Sequence, residues 1–426
     1  MTTNYSNETP IAVIGLGYVG LPLAVALARH FPTIGYDVDQ DRISELRDGH
    51  DRTGEIASSD LVASRLTVTG NSGDIAAADI YIVTVPTPVD KDNQPDLRFV
   101  KTACAVIGAV LKTGNIVVFE STVYPGVTEE ICGPALAEAS GLVCGQDFFL
   151  GYSPERINPG DREHTIDKIT KVVAGQTDEV VDRLVDLYGR VTSGGVFRAP
   201  DIKTAEAAKV IENAQRDINI AFVNEVAAIC QRLSLSAHDV LETAGTKWNF
   251  LPFSPGLVGG HCIGVDPYYL AYQAQQLGHD PQIILAGRRL NDAMGDFIAG
   301  CINDRMSGPG RILVMGLTFK ENVPDLRNTK VVDVIAGLKS RGHRVEVHDP
   351  IADGEETTRL YGFELIPSLV GQGQYDAIVG AVRHDAYLAL NAKDLSHLVR
   401  DGGLIADIKG LWRDVERPNN RDYWQL

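Results

Sequence analysis

The chain opens with an ordered series of local patterns that few folds can accommodate. A short apolar run, Ile11 to Ile14, leads directly into Gly15-Leu16-Gly17-Tyr18-Val19-Gly20. A helix-like stretch, Leu21 to Arg29, comes next, and a second strand-like run, Thr33 to Tyr36, ends in Asp37. Three glycines at this spacing between a strand and a helix predict a βαβ unit whose first turn cradles phosphate. Gly15 permits the tight turn, Gly17 lets the backbone approach a pyrophosphate, and Gly20 lets helix and strand pack closely. The helix start adds free N–H groups and a partial positive charge. Without the flanking strands the same glycines would be an ordinary turn.

Asp37 stands 22 residues after Gly15, at the end of the second strand. A carboxylate there accepts hydrogen bonds from ribose hydroxyls and repels a 2′-phosphate, so the unit is expected to take NAD rather than NADP. Asp39 adds to that repulsion. Arg42 argues the other way, because a nearby arginine can serve a 2′-phosphate. Gly15, Gly17, Tyr18, Val19, Gly20, Asp37 and Arg42 are therefore the candidate cofactor contacts from this unit. Two more loops follow strand-like runs: Thr84-Val85-Pro86-Thr87-Pro88 after Ile80, and Glu120-Ser121-Thr122 after Ile116. Ligands of open α/β sheets bind at the carboxyl ends of strands, which adds Thr84, Pro86, Thr87, Glu120 and Thr122 to the candidates.

The strand and helix alternation continues to a run at Phe148 to Tyr152, and predicts a parallel sheet covered on both faces. Ala205 to Leu233 then lacks glycine and proline and predicts one helix on the order of 40 Å long. Apolar residues around much of its circumference suggest burial on more than one side and a dimer core. After Gly308-Pro309-Gly310 the alternation resumes. Strands are expected at Arg311 to Met315, Arg344 to His348, Tyr375 to Val382 and Gly403 to Asp407, with a helix at Lys330 to Arg341. This second unit repeats the strand–helix–strand–Asp layout, but only Gly316 follows its first strand. The fold class is thus α/β, with two doubly wound Rossmann-like domains joined by a central helical region. The expected boundaries are 1–200, 201–305 and 306–426.

Composition narrows the function classes. The 426 residues, 44% of them hydrophobic, support two or three cored domains. A formal charge of −17 argues against general nucleic-acid binding. No apolar run reaches membrane-spanning length, and the N-terminus lacks an apolar signal core. Six cysteines form no CxxC pair and no Cys/His group with zinc spacing. A cytoplasmic protein with reduced thiols, no metal and no membrane association is expected.

The most chemically informative segment is Pro255 to Pro267, in which His261-Cys262 lies among Gly256, Gly259, Gly260 and Gly264, with Asp266 four residues after the cysteine. Glycine-rich backbone leaves N–H groups free to stabilise a thiolate or an oxyanion. Taken alone, Cys262 is open to two readings, a nucleophile or a buried structural thiol. A nucleophilic cysteine beside NAD would suit oxidation at the aldehyde level, through a thioester that water hydrolyses.

Four motifs in order, Ile14 to Pro22, Glu120-Ser121-Thr122, Glu206-Ala207-Ala208-Lys209-Val210-Ile211-Glu212-Asn213, and Gly259-Gly260-His261-Cys262, resemble the UDP-glucose/GDP-mannose dehydrogenase family over essentially the whole chain. The resemblance implies an NAD domain, a central dimerisation region and a UDP-sugar domain. It also implies a four-electron oxidation of a sugar's primary alcohol to a carboxylate, with two NAD⁺ used in succession. By the same resemblance Cys262 is the nucleophile, Lys209 and Asn213 steady the developing alkoxide and oxyanion, Asp266 and Thr122 hold a water used in proton transfer, and Glu155 assists thioester hydrolysis. Lys320 resembles a substrate-binding lysine and Arg327 a cofactor-binding arginine. Pro154-Glu155-Arg156-Ile157-Asn158-Pro159-Gly160 departs from the UDP-glucose pattern, placing Pro159 where a second acid would fall. It resembles the branch acting on UDP-N-acetylhexosamines for capsules and O-antigens, with UDP-GlcNAc or UDP-GalNAc as substrate. Arg156, Lys247, Asn249, Gly259 and Arg289 join Glu155, Lys209, Asn213 and Lys320 as candidate substrate contacts. A homodimer is implied. A UDP-N-acetylmannosamine dehydrogenase, a UDP-glucose dehydrogenase and a two-electron dehydrogenase with a structural Cys262 are the rival enzymes, and a non-enzymatic sugar-nucleotide-binding protein is a further alternative.

Overall fold

The computed structural model describes residues 8–156, 163, 165–260 and 263–426. The chain divides into two compact units, Met1–Asn213 with Tyr268–Asp280, and Ala214–Pro267 with Pro281–Leu426.

The first unit holds an eight-stranded sheet. Its strands are β1 (Ile11–Ile14), β2 (Thr33–Tyr36), β3 (Thr67–Thr69), β4 (Ile80–Val83), β5 (Ile116–Phe119), β6 (Phe149–Tyr152), β7 (Lys171–Gly175) and β8 (Val196–Arg198). They lie in the order β3-β2-β1-β4-β5-β6-β7-β8. Alternate residues of the central strands point to opposite cores. Ala12, Ile14, Val117 and Phe119 enter one cluster, and Ile11, Val13, Ile80, Ile82, Ile116 and Val118 enter the other. Burial on both faces is why these strands read as unbroken apolar runs. The sheet is not wholly parallel as predicted, since β7 runs antiparallel to β6, pairing Tyr152 with Ala174. A parallel pair needs a crossover connection, commonly a helix, and no helix lies between β6 and β7 among the described residues.

The register decides where the site sits. Ile14 pairs with Tyr36 and Val83, Val83 with Phe119, and Phe119 with Tyr152. Their successors Gly15, Asp37, Thr84, Glu120 and Ser153 therefore emerge side by side on one edge.

The predicted long helix is present as Ile202–Leu233, 32 residues, beginning three residues before the expected start. Phe222, Ile229 and Leu233 are at least half exposed on it. Its apolar surface exceeds what this chain covers.

The second unit holds β9 (Arg311–Met315), β10 (Arg344–His348), β11 (Tyr375–Gly380), β12 (Val399–Asp407) and β13 (Asp422–Gln425), all parallel, in the order β10-β9-β11-β12-β13. Helices Gln282–Asn303 and Val331–Ser340 pack closely beside it. A Cβ on Gly295 would lie 2.5 Å from Asp333 Cβ, and one on Gly337 would lie 2.7 Å from Ala299 Cβ. Again the register aligns strand ends, since Met315 pairs with His348 and Gly380, and Gly380 with Asp407. The two units share more than layout. Gly15 N–H donates to the Tyr36 carbonyl and Leu16 N–H to Asp37 Oδ2; correspondingly, Gly316 N–H donates to the His348 carbonyl and Leu317 N–H to Asp349 Oδ2.

Candidate active site

In the first unit, the glycine turn is held from two sides. Asp37 Oδ2 accepts the Leu16 N–H at 2.7 Å, and Thr84 Oγ1 donates to the Gly15 carbonyl at 2.8 Å. Gly15 sits at φ +96°, which favours glycine. The other two glycines differ in kind. A Cβ on Gly20 would fall 1.8 Å from the Gly15 carbonyl oxygen and 2.4 Å from Thr84 Oγ1, whereas one on Gly17 meets nothing within 4 Å. Gly17 is exposed, on the loop that leads into the helix Gly20–Ala28. An open cradle beside a helix start, with a carboxylate at the next strand end, fits a dinucleotide pyrophosphate and ribose.

This difference makes a prediction. Gly20→Ala is expected to destabilise the protein by about 3 kcal/mol or more, as overpacking against backbone does. Gly17→Ala is expected to leave the denaturation midpoint nearly unchanged while weakening NAD⁺ binding about tenfold or more, because the methyl occupies the space where the pyrophosphate approaches. Denaturant titration and an NAD⁺ binding isotherm on both variants would check this. Equal effects on stability would refute it.

Several sequence candidates have local duties instead. Arg42 is 3% exposed. Its Nε donates to the Leu16 carbonyl and its Nη2 meets Asp51 at 2.7 Å. Its charge is spent on Asp51, so the 2′-phosphate argument that rested on a free arginine loses its footing. Asp39 caps the helix Gln40–Arg47 and pairs with Arg52. The Glu120 side chain turns into the interior, where its oxygens meet Lys171 Nζ at 2.7 Å and the Tyr188 hydroxyl. Burial pushes its carboxyl up to about 7, with Lys171 opposing. Pro86 is exposed, and Tyr18, Val19, Thr87 and Thr122 are half-buried on the same strand-end edge.

The helix motif Glu206 to Asn213 ties down two segments. Buried Glu206 accepts Gly126 N–H at 2.5 Å and Thr128 N–H at 2.9 Å, anchoring the loop that begins at Thr122. Lys209, 8% exposed, donates from Nζ to the Glu155 carbonyl at 2.5 Å. Glu212 pairs with Arg156. Asn213 lies half-buried one turn beyond Lys209. Glu155 is itself buried, with Oε2 3.2 Å from Lys171 Nζ. The structure thus brings together Glu155, Arg156 and Lys209. Glu206, Lys171 and Tyr188 were not anticipated as partners. The Glu206 position was quoted as part of a motif, but no local pattern says what its carboxylate caps.

Cys262 and His261 of the second unit lie outside the described residues, as do Ile157, Asn158, Pro159 and Gly160 of the first. The flanks of the cysteine segment are described. Gly256 N–H donates to Asn224 Oδ1 at 2.7 Å, and Asn224 Nδ2 donates to the Gly256 carbonyl at 3.0 Å. Gly260 N–H donates to the Asn328 carbonyl, and Asn328 Nδ2 donates back to the Gly260 carbonyl, both at 3.2 Å. A Cβ on Gly259 would come 2.6 Å from the Asn328 oxygen, so only glycine permits this approach. Asp266, 2% exposed, begins the helix Asp266–Gln276. Described cysteines Cys104, Cys132 and Cys230 are buried, and Cys144 and Cys301 half-buried, all as free thiols. Hydrogen bonding to Cys104 and burial push the Cys132 thiol far up, leaving it inert as a nucleophile.

A polar cleft opens at the carboxyl ends of β9, β11 and β12. Gly259, Thr318, Phe319, Lys330, Arg383 and Lys409 help line it. Burial depresses the Lys409 ammonium below the usual lysine value, with Glu321 opposing. Sequence reasoning missed Lys330, Arg383 and Lys409, although Lys409 follows the apolar run that ends in Asp407. Half-buried Lys320 adjoins this cleft in sequence. Arg327 is 45% exposed at its side chain and pairs with Asp325 at 3.0 Å. Lys247, Asn249 and Arg289 are exposed and do not line the cleft. A larger hollow of about 380 Å³, lined by Leu369, Val370, Leu390, Asp394, His397 and Leu398 among others, sits at the amino ends of β11 and β12. It is at the wrong edge of the sheet for a doubly wound fold. Among the described residues no group of acids, histidines and cysteines could hold a metal ion, and no helix is long and apolar enough to cross a membrane.

The sequence matches the UDP-glucose/GDP-mannose dehydrogenase family in three successive domains: the NAD binding domain over residues 9–192, the central domain over 203–293 and the UDP binding domain over 313–414. It is 50% identical over 411 residues to a UDP-N-acetyl-D-glucosamine 6-dehydrogenase of Pseudomonas aeruginosa, covering 95% of this chain and 97% of that one. It is 47% identical to the Salmonella typhi protein of the same name, covering 95% and 96%. The fold superposes on a UDP-D-ManNAc dehydrogenase structure from Pyrococcus horikoshii with a TM-score of 0.88 at 28% identity, covering 98% and 99% of the two chains.

Proposed function

The chain belongs to the UDP-glucose/GDP-mannose dehydrogenase family and is an NAD-dependent UDP-sugar dehydrogenase, and we propose that it oxidises the C6 hydroxyl of a UDP-N-acetylhexosamine, UDP-GlcNAc or UDP-GalNAc, to the carboxylate. The observation that carries this substrate reading is the near half identity over almost the full length to two enzymes named for UDP-N-acetyl-D-glucosamine. The similarity to the UDP-D-ManNAc enzyme is much lower in sequence. We assign the product to capsule or O-antigen assembly in the cytoplasm.

Overall, the alcohol and one water are converted to a carboxylate, two NAD⁺ become two NADH, and three protons are released. Bound NAD⁺ supplies the hydride acceptor for each oxidation. The remaining work falls to the chain. The open backbone at Gly17, with Gly15, Tyr18, Val19 and Gly20, holds the pyrophosphate, while Asp37 receives the ribose. Thr84, Pro86, Thr87 and Thr122 form the rim, and Arg327 is a further candidate cofactor contact. The Lys409 and Lys320 ammonium groups and Arg383 suit the UDP diphosphate, while Lys330 is paired with Asp292 and Asp333. Arg156, Lys247, Asn249, Gly259 and Arg289 remain candidate sugar contacts.

Lys209 and Asn213 stabilise negative charge on the C6 oxygen. Asp266 and Thr122 hold a water that takes the hydroxyl proton. Loss of the first hydride from C6 gives the aldehyde, and the Cys262 thiolate adds to its carbon to give a thiohemiacetal. Loss of hydride from that carbon leaves a thioester. Glu155 then assists water in cleaving it, releasing the carboxylate and the Cys262 thiol. A tetrahedral carbon bearing an oxyanion is needed for the second hydride to leave, which is what thiolate addition provides.

We also propose three functional regions, residues 1–200, 201–305 and 306–426, and a homodimer. The exposed Phe222, Ile229 and Leu233 on the long helix suit burial against a second copy.

With limiting UDP-GlcNAc or UDP-GalNAc and excess NAD⁺, two NADH and one uronate are expected per sugar. One NADH per sugar with an aldehyde product would refute the four-electron reading. Neither sugar turning over while UDP-ManNAc or UDP-glucose does would refute the substrate assignment alone.

A further inference from the structure

The first unit buries an ammonium that the chemistry above does not use. Lys171 opens β7 and its side chain is 0% exposed. Its Nζ lies 2.7 Å from Glu120 Oε2 and 3.2 Å from Glu155 Oε2. The other Glu120 oxygen accepts the Tyr188 hydroxyl, and Lys171 Nζ also lies 5.1 Å from the centroid of the Tyr188 ring. Glu155 is gripped twice more. Its Oε1 accepts the Arg156 N–H at 2.5 Å, and its carbonyl accepts Lys209 Nζ at 2.5 Å.

Two carboxylates thus share one ammonium in a site closed to water. Burying such groups costs several kcal/mol per ion before pairing, and apolar residues of similar volume would pack a sheet edge at least as well. The arrangement links a rigid strand to a candidate catalytic carboxyl. We propose that Lys171 is the positioning residue for Glu155: by dividing one ammonium between Glu120 and Glu155, it fixes the Glu155 carboxyl and sets how readily that carboxyl takes up a proton as the thioester is hydrolysed. The inference rests on the reading of Glu155 as the group that assists hydrolysis.

Among the described residues, the charged and titratable groups seen to face Glu155 come from four elements. They are Glu120 after β5, Lys171 on β7, Tyr188 on the helix Asp178–Gly189, and Lys209 on Ile202–Leu233, with Arg156 beside it and engaged by Glu212. Glu120→Gln removes one negative charge. The amide can still accept from Lys171 while donating to the Tyr188 oxygen. The ammonium then serves Glu155 alone, which favours its ionised form. Since a general base works only when ionised, the acid limb of the pH–rate profile moves to lower pH. Lys171→Met removes the positive charge and moves it to higher pH.

The test measures kcat for uronate formation against pH in the full-length wild type, Glu120→Gln, Lys171→Arg and Lys171→Met, with thermal unfolding of each. Glu120→Gln is expected to fold, keep its KM values and shift the acid limb down by about one pH unit. Lys171→Arg should restore most of the wild-type profile. A folded Glu120→Gln enzyme with an unmoved acid limb overturns the proposal, even if Lys171→Met fails to fold. Intact-mass measurement of acyl-enzyme in Glu155→Gln separates the two ideas. If no acyl-enzyme accumulates and uronate forms at the normal rate, the reading of Glu155 itself falls. If acyl-enzyme accumulates but Glu120→Gln is unshifted, only the positioning role falls.

Discussion

Replacing Cys262 with alanine is expected to cut uronate formation by on the order of 10⁴-fold or more, the scale on which loss of a covalent nucleophile is felt. At most one NADH should form per UDP-sugar, and any product should remain at the aldehyde level. The reason is electronic. A free aldehyde carbon carries hydrogen, but it does not release it as hydride until a nucleophile has added and the oxygen bears negative charge. NAD⁺ affinity should persist, because the glycine turn and Asp37 are held by contacts within the first unit. Stopped-flow NADH counting with product analysis would check this. A Cys262→Ala enzyme that yields two NADH and uronate at the normal rate would show the thiol to be structural.

The largest expected loss of stability lies elsewhere, at Arg288. It is 1% exposed, and its Nη1 lies 2.6 Å from Asp217 Oδ1, itself fully buried. Asn291 Nδ2 donates to the same oxygen at 2.8 Å, and Asn224 Nδ2 donates to Asn291 Oδ1 at 2.8 Å. Asn224 also grips Gly256 at the start of the cysteine segment. Arg288→Met should therefore cost about 3–5 kcal/mol at neutral pH, the range for removing one partner of a buried ion pair.

The pH dependence has a definite sign. Burial raises the Asp217 carboxyl above its ordinary value, with Arg288 opposing. Without Arg288 it rises further. A carboxyl raised on folding costs nothing below its unfolded value and costs progressively more as pH rises through its folded value. The Arg288→Met deficit should thus shrink as pH falls toward 4, and Asp217→Asn in the same chain should recover part of it. Denaturant titrations across pH would test both, and a pH-independent deficit would refute the assignment.

Much of the fold was legible because buried parallel strands leave long apolar runs. Strands β1, β2, β9 and β10 have the ends that those runs predict. Strand β7 was not legible, since it begins with a lysine whose partners Glu120 and Glu155 are remote in sequence. Nor was β13, where only Trp424 is fully buried.

The same limit applies within the site. Local order determined the α/β class, the glycine turn, the carboxylate after the second strand and a reactive-looking cysteine segment, because each depends on neighbouring residues and on the 2.0 and 3.6 periods of strand and helix. Tertiary structure decided which residue of a similar pair does what. Gly20 is a packing glycine while Gly17 stands open. Arg288 enters the core while Arg289 faces solvent. Arg42 is committed to Asp51. Such choices turn on where a side chain ends and which charge it meets. Both are set by segments far along the chain, which only the packed fold brings within hydrogen-bond reach.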